Sequence, residues 1–443
     1  MSAYHIEPEG ATEVNPEASV WPEPILWYLR AEFCAMNQRV LHVLSQRPAL
    51  TGSGVTLDAL VHQAAAAGWE QRVLVGSPAS AGQPVVDGLA PSEVRAVTFE
   101  TTELPFPLPG MSDVMPYRSS RFSALGPGEL SAYRRAWQQA LRDVTADFVP
   151  DVIHSHHLWL VSSSLKDVFP KTPVVTHCHA TGLRQMALCP HLADQVQAGL
   201  RRNERILVLH RGQAAEVGQL LGHDRIAVVG AGFRQDLFRP SPPGACRPRD
   251  LLYAGKLSRA KGLPWLLDAW QELAPRHQPA VLHIAGDGAG PEAQELRRRM
   301  AELGPLVRYH GRLDQRALAQ VMAGCGLFVL PSFYEGMPLV LIEALACGCR
   351  LVATALPVVT EELAPQLTGL LHTVPLPRRT QLDQPLSQDE APFVRNLTQA
   401  IEAAWQAPAL GDLGDLVADV LGQFTWQAVF GRVESVWRAL AQR

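Results

Sequence analysis

Two glutamates separated by seven residues offer the clearest chemistry in this sequence. Glu335 and Glu343 lie within PSFYEGMPLVLIEALACGC, residues 331–349. The apolar run before this segment predicts a strand, so Glu335 falls on the loop at its carboxyl end, where ligands bind in parallel sheets. Glu343 is surrounded by apolar residues, where an ionised carboxylate is costly unless it is paired or hydrogen-bonded. The hydroxyls of a ribose could supply those bonds; alternatively, Glu343 faces solvent and Glu335 caps the helix.

The same segment predicts a helix that begins near Pro338, because proline suits the first helical turn. Backbone N–H groups at the start of a helix bind anions. The N–H groups near Met337, Leu339 and Val340 are therefore predicted to form a phosphate site.

Two lysines form a second candidate site, in LLYAGKLSRAKG (residues 251–262). The chain has 39 basic residues but only four lysines, and Lys256 and Lys261 fall within six residues of each other. The pattern predicts a strand that ends at Gly255, a loop with both lysines and a following helix. Two cations there could neutralise a departing diphosphate. The alternative is an ordinary solvated basic loop.

Histidines end two predicted strands, in IHSHH (153–157) and HCH (177–179). A neutral imidazole could hydrogen-bond a polar ligand; alternatively, these histidines only line a cleft wall. A zinc site would combine HCH with Cys189 and His191. Because adjacent strand residues point to opposite faces, the HCH residues cannot all reach one tetrahedral ion. We therefore predict no metal site.

Two glycine-rich turns could allow a ligand close to the backbone. TGSGV (51–55), with Gly52 and Gly54, follows the first predicted strand, although an ordinary flexible turn explains it equally well. IAGDGAG (284–290) resembles part of a dinucleotide fingerprint. However, the next strand ends in HGR (310–312), with no acidic residue placed to bind the ribose of NAD. A dehydrogenase is therefore disfavoured.

The elements that must position these residues alternate between strands and helices, which predicts an α/β fold with parallel sheets. A Pro-rich stretch at 238–250 predicts a linker. The expected divisions are an extension at 1–38, a domain at 39–240, a second domain at 250–420 and a C-terminal helix at 421–443 that could cross back. Predicted strands are 39–45, 72–76, 152–155, 173–177, 205–209, 226–229, 251–254, 281–285, 306–310, 327–330 and 350–353; predicted helices are 55–67, 129–144, 391–406 and 425–441, with a surface loop at 375–390.

Composition narrows the function classes. The 443 residues suit two domains, and a net charge of −4 argues against nucleic acid as a partner. Seven scattered cysteines fit a reducing cytoplasm better than a disulfide framework. We find no signal peptide and no membrane-spanning run, so we expect a cytoplasmic protein with at most a peripheral membrane contact.

The segment with Glu335 and Glu343 resembles the E-x7-E motif of retaining glycosyltransferases with the GT-B fold, specifically family 4. The resemblance implies two Rossmann-like domains facing a central cleft. It also implies that Glu335 contacts the hydroxyls of the donor sugar and that Glu343 contacts the ribose. Met337, Pro338 and Leu339 would lie at the donor.

Other segments are similar to the same family over residues 39–375. Residues 255–262 are similar to its G-R-L-x-x-x-K-G pattern, in which two cations hold the donor diphosphate; here Lys256 stands where arginine is usual. The main chain near Arg312 and Leu313 would lie close to the nucleobase, and Gly52 and Gly54 near the donor phosphate.

The first domain departs further from the family pattern. PVVTHCHATGL (173–183) resembles a strand that ends in His-Gly-Thr-Asp, so His179 is the implied functional histidine and His177 the alternative. Gly182 replaces the aspartate of that pattern. Arg234 replaces a further aspartate at the entry to the linker.

The resemblance implies a metal-independent, retaining transfer of a sugar from a nucleotide-diphosphate sugar to an acceptor hydroxyl. No cofactor is expected, and the donor would be of the UDP or GDP type. The acceptor is a sugar, a small molecule or a lipid-linked glycan. The rival hypotheses are another GT-B enzyme, such as a phosphorylase or a nucleotide-sugar epimerase, and a protein that binds nucleotide sugars without catalysis.

Overall fold

The computed structural model describes residues 38–48, 51–112, 115–240, 247–381, 384–407 and 414–442. The extension predicted at 1–38 lies outside these ranges except for its last residue. Within the described residues, no helix is both long enough and apolar enough to cross a membrane.

The first domain is built on a seven-stranded parallel sheet with the order β3-β2-β1-β4-β5-β6-β7. Most of its strands are continuous apolar runs because helices cover both faces. The strands are β1 (Arg39–Leu44), β2 (Glu70–Pro78), β3 (Val94–Phe99), β4 (Val152–His156), β5 (Val174–His177), β6 (Arg205–Val208) and β7 (Ile226–Val228).

The second domain repeats this arrangement in a six-stranded parallel sheet with the order β10-β9-β8-β11-β12-β13. The shared order, which reverses direction beside the first strand, is that of doubly wound folds. The strands are β8 (Arg247–Ala254), β9 (Leu282–Ala285), β10 (Val307–Gly311), β11 (Cys325–Leu330), β12 (Arg350–Thr354) and β13 (Leu371–Val374); a separate hairpin is formed by β14 (Arg379–Gln381) and β15 (Gln384–Pro385).

Helices flank both sheets. In the first domain they are α1 (Gly52–Ala66), α2 (Pro127–Val144), α3 (Leu160–Val168), α4 (Ala180–Leu188), α5 (Pro190–Leu200) and α6 (Arg211–Leu221). The remaining helices are α7 (Leu263–Leu273), α8 (Gly290–Glu302), α9 (Gln315–Ala323), α10 (Leu339–Ala346), α11 (Ser387–Gln406), α12 (Gly414–Gln423) and α13 (Trp426–Ala441).

The last helix, α13, packs on the first domain. Trp437 is fully buried in a cluster that includes Val40 and Val152 of the first sheet. Its ring lies edge-on to Trp69, with the ring centres 5.1 Å apart, and its Nε1 donates to Nδ1 of His154 at 3.1 Å. The chain therefore returns to its first domain after completing the second.

The predicted fold class, α/β with two Rossmann-like domains, is confirmed, whereas several element boundaries differ. Two strands of the main sheets were not predicted, Val94–Phe99 and Leu371–Val374. Both lie at sheet edges, where polar residues interrupt the apolar run. The loop predicted at 375–390 contains a hairpin and the first turn of α11, which begins at Ser387.

Candidate functional site

The two domains meet at the carboxyl ends of their strands. The loop after β11 reaches the first turn of α4, where a Cβ atom on Gly336 would lie 3.5 Å from that of Ala180. A pocket of about 310 Å³ lies at this junction, lined by residues of both domains that include Glu335. Glu335 and the neighbourhood of His179, which directly precedes Ala180, therefore face one cleft.

Glu335 and Lys261 form an ion pair at this pocket. Lys261 Nζ donates to Glu335 Oε1 at 2.7 Å, and both side chains are largely buried. Gly262 positions the lysine: it adopts a left-handed conformation (φ 73°), and a Cβ there would lie 2.0 Å from the carbonyl oxygen of Pro331. The loops after β8 and β11 are thus packed directly against each other.

Lys256 has different surroundings, because its side chain is exposed. Its main-chain carbonyl accepts a hydrogen bond from the hydroxyl of Tyr253 at 2.6 Å. Next to it, Gly286 approaches so closely that a Cβ would lie 1.8 Å from the carbonyl oxygen of Gly255. The two glycine-containing loops of the second domain therefore form one surface beside Lys256.

Glu343 lies on α10 with its carboxyl group largely shielded from solvent. Burial raises the pKa of Glu343 to about 7. No hydrogen bond joins its carboxylate to another residue of the described ranges. Its environment is thus the apolar one that the sequence predicts, and the carboxylate remains available for a polar ligand.

One of the N–H groups predicted to form a phosphate site at the start of α10 is bonded within the protein. The N–H of Leu339 donates to the carbonyl oxygen of Met337 at 2.9 Å, so it is not free. Pro338 precedes the helix with φ −79° and ψ 72°, which bends the chain into this local turn.

The positions expected to contact the nucleobase follow β10. Arg312 is exposed and Leu313 half-buried. The N–H of Gly286 donates to the carbonyl oxygen of Gly311 at 2.8 Å, which fixes the two loops side by side.

The first glycine-rich turn also needs a correction, because it belongs to a helix. Helix α1 begins at Gly52 rather than at Val55, and the hydroxyl of Thr51 accepts from the N–H of Gly54 at 3.2 Å. Threonine at this position caps a helix that two glycines would otherwise disfavour. Space around Gly52 is open, since an added Cβ would meet nothing within 4 Å.

A row of histidines crosses the first sheet beneath α13. Their rings stack from strand to strand, and Nδ1 of His156 lies 3.1 Å from Nε2 of His179. Burial lowers the pKa of each ring, so all are neutral at pH 7. The row comprises His42, His154, His156, His177 and His179.

His157 has a distinct role that the sequence did not indicate. Its backbone is left-handed (φ 71°), an uncommon conformation for a residue other than glycine. Its Nε2 lies 3.0 Å from the hydroxyl of Ser53, and its Nδ1 lies 3.1 Å from that of Thr181. His157 therefore connects the first turns of α1 and α4, which both face the cleft.

Of the metal ligands considered from the sequence, only His177 belongs to the group that could hold an ion among the described residues. Ring nitrogens of His154, His156 and His177 lie within 4.8 Å of one another. However, the indole of Trp437 donates to Nδ1 of His154. A neutral imidazole that accepts at Nδ1 carries its proton on Nε2, so that atom has no lone pair for a metal.

Several polar and aromatic residues of the pocket were not identified from the sequence. His210 caps the start of α6 and Glu216 lies in the middle of that helix. Tyr334 precedes Glu335, and Arg379 belongs to the hairpin after β13. Tyr334 lies inside the segment that contains Glu335, whereas the others fall in no recognisable pattern and reach the pocket only through tertiary packing.

Comparison with known proteins places the chain in a family. Residues 51–232 match the glycosyl transferase 4-like domain, and residues 248–377 match the family described as glycosyl transferases group 1. The glycogen synthase of Mycobacterium tuberculosis is 30% identical over 219 residues, which are 46% of this chain and 52% of that enzyme. The chain thus matches about half the length of this relative.

Two further proteins are similar over more of the chain. The D-inositol 3-phosphate glycosyltransferase 2 of Catenulispora acidiphila is 26% identical over 319 residues, covering 65% of this chain and 70% of that protein. The catalytic domain of starch synthase IV from Arabidopsis thaliana, solved with ADP and acarbose, superposes with a TM-score of 0.62 at 13% identity, covering 92% of this chain and 100% of that one. The chain therefore combines a glycosyl transferase 4-like domain at residues 51–232 with a glycosyl transferases group 1 domain at residues 248–377, and its two-domain fold is the GT-B fold.

Proposed function

We propose that the protein is a family 4, retaining glycosyltransferase that uses a nucleotide-diphosphate sugar of the UDP or GDP type. The contact between Lys261 and Glu335 carries this proposal. It places a cation suited to a diphosphate beside a carboxylate suited to sugar hydroxyls, at the junction of the two domains. The ADP in the starch synthase structure supports a nucleotide site in this fold.

The proposed reaction proceeds on one face of the sugar. The bond between C1 of the sugar and the diphosphate oxygen breaks, and its electron pair leaves with the diphosphate. The acceptor oxygen forms a new bond to C1 on that same face, and its proton passes to the departing phosphate. Lys256 and Lys261 stabilise the growing negative charge, Glu335 orients the sugar, and His179 contacts the transferring sugar or acceptor.

A screen of nucleotide sugars by thermal shift, followed by analysis of products, tests the proposal. A ligand at 100 times its Kd stabilises a protein by about 2.7 kcal/mol, which is readily detected. An α-linked donor should give an α-linked product. Inversion would contradict retention, and binding without release of nucleotide would favour a non-catalytic protein.

Glu343→Ala should weaken binding of the nucleotide diphosphate itself, because its proposed partner is the ribose. A hydrogen bond to a charged group contributes about 1.5–3 kcal/mol, so the Kd should rise about 10-fold or more. Calorimetry with the best nucleotide measures this directly. Glu335→Ala is the matched control, since it should spare nucleotide binding and reduce turnover; unchanged affinity in Glu343→Ala would refute the ribose contact.

Activity should persist in excess EDTA, because lysines take the place of a metal at the diphosphate in this proposal. The measurement is the steady-state rate before and after chelation, with a known manganese-dependent transferase treated in parallel. Complete loss of activity that manganese or zinc restores would contradict the proposed mechanism.

A further inference from the structure

We infer that the pocket between α6 and Glu335 is the acceptor subsite, and that it seats an uncharged sugar ring. This inference rests on the proposed transfer reaction and adds the class of acceptor to it. The pocket has a volume of about 310 Å³ and its walls come from both domains.

Glu335 lies between the loop that carries Lys261 and the part of the pocket that the first domain lines. Lys261 contacts Glu335 at 2.7 Å and belongs to the loop proposed to hold the diphosphate. The pocket continues from Glu335 to His210 and Glu216, which belong to the first domain. A donor sugar held at Glu335 would therefore have its diphosphate on the Lys261 side and an incoming acceptor on the side of the first domain.

Tyr334 offers an aromatic surface inside this pocket. It is 41% exposed, whereas the neighbouring Phe333 is fully buried. A tyrosine side chain combines an apolar ring face with a polar hydroxyl group, which suits a ligand that has both C–H and O–H groups. A pyranose ring stacked on Tyr334 would keep its hydroxyls at the edge, within reach of the polar residues.

The polar residues supply both a donor and an acceptor for hydroxyl groups. Nδ1 of His210 accepts from the N–H of Gln213 at 3.2 Å. Burial lowers the pKa of His210, so the neutral ring carries its proton on Nε2 and can donate. Glu216 is exposed, and its carboxylate forms no salt bridge within the described ranges, so it can accept.

The surrounding charges disfavour a phosphate in this pocket. Glu216 lies in its wall and forms no salt bridge within the described ranges, whereas the charge of Glu335 is balanced by Lys261. The charges of Glu361 and Glu362 act on His210. Carboxylates repel a phosphate group at short range. The guanidinium of Arg379 donates one hydrogen bond, from Nη1, to the carbonyl oxygen of Phe333 at 2.7 Å. This nitrogen therefore points towards the main chain of the pocket wall.

The test compares acceptors and variants in the full chain. Release of nucleotide from the preferred donor is measured with glucose, mannose, maltose and myo-inositol, and with glucose 6-phosphate, mannose 6-phosphate and inositol 3-phosphate. An uncharged acceptor should be used at least about 10-fold more efficiently than its phosphorylated counterpart, a difference equivalent to about 1.4 kcal/mol. Faster reaction with the phosphorylated compounds, or no acceleration by any uncharged one, overturns the inference.

Variants then locate the subsite. Tyr334→Ala should raise the KM for the acceptor about 10-fold, while Tyr334→Phe, which keeps the ring, should stay within about 3-fold. Glu216→Gln should lower the ratio of the efficiency with an uncharged acceptor to that with its phosphorylated counterpart. Its matched control is Glu272→Gln, which changes an exposed glutamate on α7. Glu272→Gln should leave the donor KM and the slow hydrolysis of the donor unchanged.

The same assays separate this inference from the proposed function. Donor hydrolysis that persists while Tyr334→Ala leaves the acceptor KM unchanged refutes only the subsite. A rise in donor KM instead would assign the pocket to the donor sugar. A wild-type protein that binds and hydrolyses no nucleotide sugar contradicts the transferase itself.

Discussion

Replacing Lys261 by alanine is expected to lower kcat by about 100-fold or more, the usual effect of deleting one preorganised contact to a developing charge. This corresponds to about 2.7 kcal/mol of transition-state stabilisation. The effect should fall on kcat because the charge on the diphosphate grows as the bond to the sugar breaks. Steady-state kinetics on the purified variant, with folding checked by circular dichroism, measures it.

The controls separate the lost cation from its side effects. Lys261→Ala also leaves Glu335 without its partner, so its kcat is compared with those of Glu335→Gln and of the double variant. A double variant no slower than Glu335→Gln alone would show that the unpaired carboxylate causes the loss. Lys171→Ala removes an exposed lysine of the first domain and should have no effect. Near-normal turnover in both Lys261→Ala and Lys256→Ala would refute the role of the lysines in the leaving-group step.

The two lysines should differ in their tolerance of arginine. Lys256 is exposed, so Lys256→Arg, which restores the residue usual in the family, should retain substantial activity. Lys261 is confined between its loop and Glu335, where the wider planar guanidinium fits less well. Lys261→Arg should therefore be the more damaging change.

Glu343→Gln should make the ligand-free protein more stable than the wild type above pH 7, by up to about 3 kcal/mol. Burial raises the pKa of Glu343 from 4.5 to about 7, and a tenfold change in the acid dissociation constant corresponds to about 1.36 kcal/mol. Between pH 4.5 and pH 7, Glu343 is largely ionised in the unfolded chain but still largely protonated in the folded protein. The free energy of unfolding of the wild type therefore falls as the pH rises towards 7. Glutamine removes this cost because it does not ionise.

Urea denaturation of both proteins at pH 4 and pH 8 tests this expectation. The difference in the free energy of unfolding should vanish at pH 4, where Glu343 is protonated in both states. The buried histidines also respond to acid, but they are present in both proteins and cancel in the comparison. Glu272→Gln controls for the change of an exposed glutamate, and a difference of equal size at both pH values would contradict the raised pKa.

Much of the fold was predictable because its strands are local features. The runs in β1 and β11 are apolar along most of their length, since both faces of each sheet are covered. The start of α1 was predicted three residues too late because Gly52 and Gly54 have a low helix propensity. The hydrogen bond that the Thr51 hydroxyl accepts from the first turn stabilises the helix there in spite of the two glycines. The hairpin at 379–385 depends on a tertiary contact, the bond from Arg379 to Phe333, which no local pattern reveals.

The candidate site was predictable as a set of residues but not as an arrangement. Glu335 and Lys261 each stand in a recognisable segment, yet their ion pair joins loops 74 residues apart. His157 belongs to a histidine cluster that the sequence marks, but its left-handed backbone and the two hydrogen bonds of its ring to the first turns of α1 and α4 do not follow from that pattern. His210 and Glu216 enter the pocket only because the first domain packs against the second.

The return of α13 to the first sheet means that the domain synthesised first is the last to be completed. Until residues 426–441 leave the ribosome, the apolar face around Trp69 and the row of neutral histidines lacks the helix that covers it. A nascent chain therefore carries an unfinished, aggregation-prone surface through the synthesis of the whole second domain. For the same reason, a fragment cut at the linker would lack part of its own core, so the two halves of this sequence are not two independent folding units.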